Sequence, residues 1–326
     1  ALRDLFVGLS GSLLFLMGVA RLEGGYGTVD MTGLRDRVGG EPFAAISLVL
    51  MTGGLVMKAA LFPLHFWLPP AHGSAPAPVS AVLSALVVKG SLYILWRLWF
   101  EVFGGVVNTG AVQWMGLLGG AAILWGSAQA LVQERLKLLI AYSTVAQVGY
   151  LFLVFPIALT AESGSTAGLG ALTFLGAHAT AKAAMFLAVG NVLRAVGHDR
   201  IRELAGLASV LPVSAFAMGL AGMSLIGLPP SAGFVGKWYL LTSGLGQGQW
   251  WWVTVIVGGS LLAAGYIMRV LLPAFTPARE TAAVKPVTRG MEWSAFALSL
   301  LSVALGFAGS FSARLWGDGW AGGGGE

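Results

Sequence analysis

The sequence predicts an all-α polytopic membrane protein, on three observations. Hydrophobic residues make up 56% of the chain and charged residues only 10%, whereas soluble domains carry about 25% charged residues. Mean hydropathy is +0.80. Apolar runs of about twenty residues, the length that crosses a bilayer as a helix, recur from one end to the other.

In order, these runs give about nine membrane segments, at 3–21, 43–66, 78–99, 111–132, 138–159, 168–195, 209–245, 251–273 and 291–313. The first lacks a small-residue cleavage site and so is not expected to be a removable signal. Residues 22–42 follow as a polar loop with charges of both signs. The second run carries Lys58 and meets Pro63. The third holds Lys89 and ends at Arg97 and Glu101, expected to form a surface pair worth little. In the fourth, Gly116 to Gly120 reads as helix packing. The fifth follows Arg135 and Lys137, read as interfacial anchors. It bears Tyr142, Ser143, Thr144 and Gln147, which could hold waters or tie helices together. The sixth contains His178 and Lys182. The seventh is too long for one crossing and is expected to be a broken helix with a re-entrant part. Trp250, Trp251 and Trp252 open the eighth like an interfacial aromatic belt. A polar stretch, 274–290, precedes the last run, and residues 314–326 form a glycine-rich tail.

Composition also excludes. There is no cysteine, which removes thiolate-bound iron–sulfur clusters, disulfides and Cys–zinc sites. No GxGxxG or Walker-type loop stands in a strand–helix context. No cofactor, metal or nucleic acid is expected. The net charge of +5 comes from loop cations at a membrane surface. Arg3, Arg135, Lys137, Arg194, Arg200, Arg202, Arg269, Arg279, Lys285 and Arg289 fall on one side of the predicted topology. They outnumber Arg21, Arg35, Arg37, Arg97 and Arg314 on the other. The positive-inside rule then places the N-terminus in the cytoplasm and the C-terminus outside, in the inner (cytoplasmic) membrane.

Lys58, Lys89, Lys182 and Lys237 lie deep inside apolar runs, whereas every carboxylate falls in a connecting segment or at a helix end. An intramembrane charge costs between about 3 and 15 kcal/mol and marks a functional site by default. Lys58 sits too deep for easy snorkelling, and Lys89 has apolar neighbours for a turn on each side. His178 and Lys182 are four apart, hence on one helix face, and histidine shuttles protons near neutral pH. Two stretches combine proline and glycine with lysine, at 58–81 and 227–241. Breaks of this kind persist in a membrane only inside protein or beside a water-filled cavity. Lys58 precedes its break and Lys237 follows the one at Pro229 and Pro230. That opposite order is what an inverted repeat gives. His65 and His72 follow Lys58 at seven-residue steps, across prolines that break the register. His72 is a candidate gate, and His65 a weaker one whose alternative is a backbone-bonded histidine.

The stretches LFPLHFWLPPAHGSAPAPVSA, ERLKLLIAYSTVAQVGY, HATAKAAMFLAVG and GLPPSAGFVGKWYLL resemble the antiporter-like, proton-conducting membrane subunits shared by respiratory complex I, membrane-bound hydrogenases and Mrp-type cation/proton antiporters. The resemblance implies a fold of about fourteen helices with two inverted five-helix repeats, of which this chain matches the sixth helix onward. Residues 1–99 would belong to the first repeat, 111–273 to the second and 291–313 to a C-terminal helix, all in one transmembrane domain, 1–326. It implies a proton relay through Lys58, Lys89, Lys182 with His178, and Lys237, the last exchanging near residues 243–252. The first five helices are lacking, and with them the family's glutamate that pairs with the lysine matched by Lys58. A carboxylate from other membrane subunits would take its place. The expected function is proton translocation within a larger complex, with any redox enzyme site on other subunits. A sodium or potassium/proton exchange subunit and a structural spacer are the rival readings.

Overall fold

Proline, glycine and cap residues decide where these helices start and stop. The computed structural model describes residues 2–159, 164–277 and 285–308. Arg279, Arg314, the far end of the 291–313 run and the 314–326 tail lie outside them. The described residues are helical apart from loops and one isolated bridge between Arg135 and Arg200, as the apolar runs predict.

Helices α1 (Leu2–Tyr26) and α2 (Pro42–Lys58) pack against each other. Local bonds order the loop between them. Asp30 accepts from the Gly33 amide at 2.9 Å, and the Tyr26 hydroxyl donates to Glu41, beside Pro42, at 2.8 Å. Helix α2 stops at Lys58 because Pro63 cannot donate a hydrogen bond and its ring crowds the carbonyl four residues back. Ala60 takes a left-handed backbone, φ 52°, which costs a residue with a Cβ about 1–2 kcal/mol. The Met57 carbonyl accepts instead from the Trp67 indole at 2.9 Å. After a 3₁₀ turn, α3 (Leu68–Ser74) resumes, and Pro76 opens α4 (Ala77–Val102), which contains two π-turns, Leu83–Val87 and Leu98–Val102.

Asn108 caps α5 (Thr109–Val132), accepting from the Ala111 amide at 2.8 Å. A short loop returns the chain as α6 (Leu136–Phe152), the hub of the fold, almost wholly buried and in contact with α3, α5, α8 and α11. The 138–159 run is broken at Leu153 and continues as α7 (Val154–Leu159). The long α8 (Gly164–Val196) runs antiparallel to α6. The 209–245 run divides, as its length predicts, into α9 (Pro212–Ile226) and α10 (Ala232–Gly246). Gly227 ends α9 with φ 89°, a left-handed conformation that glycine adopts without a Cβ clash. Helices α11 (Trp250–Phe275) and α12 (Arg289–Ala304) complete the description. Among the described residues, six spans are long and apolar enough to cross a membrane alone; α2 and α9 are shorter apolar helices beside the two breaks.

Candidate functional site: a buried polar row

Each lysine in the row is held by backbone that a helix break, a π-turn or a neighbouring helix leaves available. Lys58, the last residue of α2, is half-buried. It lines a cavity of about 500 Å³ with Asp4, Ser12, Trp67 and Ser91. Asp4 is the carboxylate sequence reading missed here, since it lies in the first turn of α1 and reaches the cavity only through α1–α2 packing. Among the described residues, no ion pair involves Lys58. Ser91 belongs to α4, two residues from Lys89, so the cavity ends against the helix that carries the next lysine.

Lys89 is buried, and its Nζ donates to the Ser84 carbonyl at the π-turn. There the helix steps i to i+5, so Lys89 can reach back to it. The Ser84 hydroxyl and Thr144 of α6 are hydrogen-bonded at 3.0 Å. Thr144 Oγ1 donates to the Ile140 carbonyl at 3.0 Å, and Lys182 Nζ of α8 donates to the same carbonyl at 3.0 Å. Lys182 also donates to Ser143 Oγ, whose own hydroxyl donates to Ile140 at 2.9 Å. One carbonyl thus gathers three side-chain donors, more than its two lone pairs serve well. Polar groups thus lie between Lys89 and Lys182 along α6, the Ser84 and Thr144 hydroxyls flanked by the Ser84 and Ile140 carbonyls on which the two lysines donate. Ser143 and Thr144 bond to their neighbours directly, with no water needed between them. Ser84, which sequence reading passed over, is the link from α4; its signal was a hydroxyl five residues before a buried lysine.

His178 is buried one turn before Lys182, and neither ring nitrogen has a protein partner among the described residues. It lies within electrostatic reach of Lys89, Lys182 and Lys237. His72, on α3, is likewise buried with both nitrogens unpartnered. It stacks on Phe186 at 4.5 Å and lies within reach of Lys182, Lys89 and Lys137. The fold therefore brings His72 to the row despite the proline breaks. His65 stacks on Phe62 at 5.5 Å.

Lys237, on α10, reaches back across the break to the exposed end of α9. It donates to the Leu225 and Ile226 carbonyls, each at 3.0 Å, and to Ser260 Oγ at 3.1 Å. A helix C-terminus is a natural seat for a cation. The Tyr150 ring adds a cation–π contact at 4.2 Å. A cavity of about 280 Å³ beside it is lined by Gly227, Phe234, Trp238, Ser260 and Leu261. Gln147 ties this end to α6, donating to the Leu225 carbonyl and the Tyr266 hydroxyl, both at 3.1 Å.

Two peripheral readings change. Lys137 is buried rather than an interfacial anchor, and its Nζ donates to the Ala75 carbonyl at the turn after α3. Its backbone amide donates to Asp199, which also accepts from Arg135 at 3.0 Å. The resulting clamp fastens the α5–α6 loop to the segment after α8. Trp250 and Trp251 face outward, but Trp252 is buried and its indole donates to Gln113 at 3.2 Å. Around 243–252, Gln249 donates to the Pro156 carbonyl at 3.0 Å and Gln247 to Ile157 at 2.7 Å, so glutamines bind these helix ends together. Arg97 and Glu101 pair at 2.7 Å, partly exposed as expected. Among the described residues no cluster of His, Asp or Glu could hold a metal.

Fold and site together define a polytopic helical membrane protein with three buried lysines, Lys89, Lys182 and Lys237, among its packed helices. The chain belongs to the NADH:quinone oxidoreductase/Mrp antiporter transmembrane family, whose model matches residues 1–263. It is 37% identical over 300 residues to NADH-quinone oxidoreductase subunit N of Desulforudis audaxviator, covering 89% of this chain and 58% of that protein. The chain thus spans less than two thirds of that relative's length. Its fold is similar to a chain of the Mrp complex from Dietzia sp. DQ12-45-1b, with TM-score 0.84 and 26% identity over 96% of this chain and 67% of the other. It is also similar to a chain of respiratory complex I from Thermus thermophilus, with TM-score 0.76, the same identity and the same coverage.

Proposed function

We propose that this chain moves protons as part of a membrane subunit in a multisubunit ion-pumping complex of the inner (cytoplasmic) membrane, its N-terminus on the cytoplasmic side. The relay runs Lys58, Lys89, Lys182 with His178, then Lys237, with His72 as a gate from the cytoplasmic side. The supporting observation is the run of polar groups from Lys89 and Ser84 through Thr144 to the Ile140 carbonyl on which Lys182 also donates. A buried lysine gains and loses its proton readily when a nearby charge moves. A carboxylate from another membrane subunit, or from helices preceding this chain, would complement Lys58 beside Asp4. Redox chemistry would belong to partner subunits. The breaks at Lys58 and Lys237 suit two inverted repeats in one transmembrane domain, 1–99 being part of the first and 111–273 the second.

Everted vesicles carrying the assembled complex test this. Lys182→Met and Lys237→Met should each abolish proton translocation while the complex still assembles. Wild-type translocation in both variants would refute the relay and leave a spacer role. The similarity to an Mrp complex favours one second reading, sodium or potassium exchange. A pH change that requires an imposed sodium gradient, lost in Lys237→Met, would establish that reading in place of the first.

A further inference from the structure

Between His178 and Lys237 the row is interrupted by an apolar ring. Phe174, one turn before His178 on α8, stacks on the imidazole at 6.1 Å with the planes 20° apart. Its ring is 5.5 Å from that of Tyr150 and 5.7 Å from Lys237 Nζ. The side chain is 1% exposed. It is also pinned, because a Cβ on Gly236 would lie 2.6 Å from Phe174 Cβ and 2.7 Å from its backbone nitrogen. At that point α8 and α10 touch backbone to backbone. A phenyl ring neither donates nor accepts a proton.

Polar groups lie beside the ring. Helices α6 and α8 are antiparallel, with Lys137 beside Asp199, Ser143 bonded to Lys182, and Tyr150 against Phe174. Gln147 is one turn beyond Ser143 and His178 one turn before Lys182, so the two are level. Each has buried atoms without a protein partner among the described residues: Gln147 Oε1, and both ring nitrogens of His178. The Gln147 amide nitrogen donates to the Leu225 carbonyl, which also accepts from Lys237.

We infer that Phe174 is an insulating plate in the row, and that Gln147 is the positioning residue beside it, holding the Leu225 carbonyl that seats Lys237. The inference rests on the relay reading. Its consequence is that the central and terminal lysines do not exchange protons directly across Phe174, which prevents free backflow between them.

The test measures passive proton leak under an imposed pH gradient, and driven translocation, in vesicles holding the assembled complex. Phe174→His places a hydrogen-bonding ring of similar size in the gap and should raise the leak several-fold. Phe174→Leu keeps the gap apolar and should leak like the wild type. Gln147→Leu should cut driven translocation several-fold with leak unchanged, and Gln147→Asn should restore part of it. Equal leak in Phe174→His and Phe174→Leu, while Lys182→Met still abolishes translocation, overturns the insulating role and leaves the relay standing. Wild-type translocation in Gln147→Leu overturns the positioning role of Gln147 whatever becomes of Phe174→His. Translocation that survives Lys182→Met removes the relay itself.

Discussion

Thr144→Val takes one hydroxyl from the middle of the polar row and keeps the shape of the side chain. Thr144 gives its single proton to the Ile140 carbonyl and therefore accepts from Ser84 at 3.0 Å. The substitution strands the Ser84 hydroxyl in a buried site and unlinks α4 from α6. Side-chain hydrogen bonds within membranes are worth about 0.6 kcal/mol on average and about 1.7 at most. The loss of stability should therefore stay below about 2 kcal/mol, too little to prevent assembly. A loss of about 1–1.4 kcal/mol on the route of transfer slows that step by roughly five- to tenfold. Driven proton uptake in everted vesicles, normalised to assembled complex, should fall by that factor. Ser84→Ala should fall equally, and the double variant no further, because the two residues share one contact. Wild-type uptake in Thr144→Val, or additive losses in the double variant, would show that protons do not pass this contact.

Three further outcomes test the scaffold. Gly236→Ala forces α8 and α10 apart at Phe174, and overpacking of this kind costs about 1–3 kcal/mol; thermal unfolding in detergent should shift down accordingly. Asp199→Asn removes the charge that holds Arg135 and receives the Lys137 amide. The loss should be about 1–2 kcal/mol, with protease cleavage rising at the α5–α6 loop. In the 22–42 loop, the hydrogen bond from Tyr26 holds the Glu41 carboxyl below its usual range. Its contribution to loop order is therefore present above the ordinary carboxylate pKa and lost as pH falls through the depressed one. Tyr26→Phe should raise the Glu41 pKa toward the ordinary value, read by carboxyl NMR titration; an unchanged titration would refute that cause.

Much of this was legible along the chain. The four lysines were visible because a charge in an apolar run has no cheap explanation, and the breaks because proline cannot continue a helix. The His178–Lys182 pair followed from helical periodicity. Gln147, Ser143 and Thr144 were visible as hydrogen-bonding groups, but which lysine each serves was not. That depends on how α6 is rotated between α4, α8 and α9. Lys137 misled because a lysine at the end of an apolar run usually snorkels; here α3 and the Asp199 loop close over it. Phe174 gave no signal at all, since an apolar residue in an apolar helix is the default.

By itself, then, the sequence determined the class of protein, the approximate limits of its helices, the two interruptions and the cations that need partners. These are local properties, set by transfer cost, periodicity and backbone chemistry. The tertiary structure alone decided the connections: Asp4 on the Lys58 cavity, Ser84 on Thr144, Lys237 on the end of α9, and Phe174 between His178 and Lys237. A hydrogen bond needs its two atoms within about 3 Å. For residues 60 or more apart in the chain, such as Ser84 and Thr144, only the packing of whole helices fixes that distance.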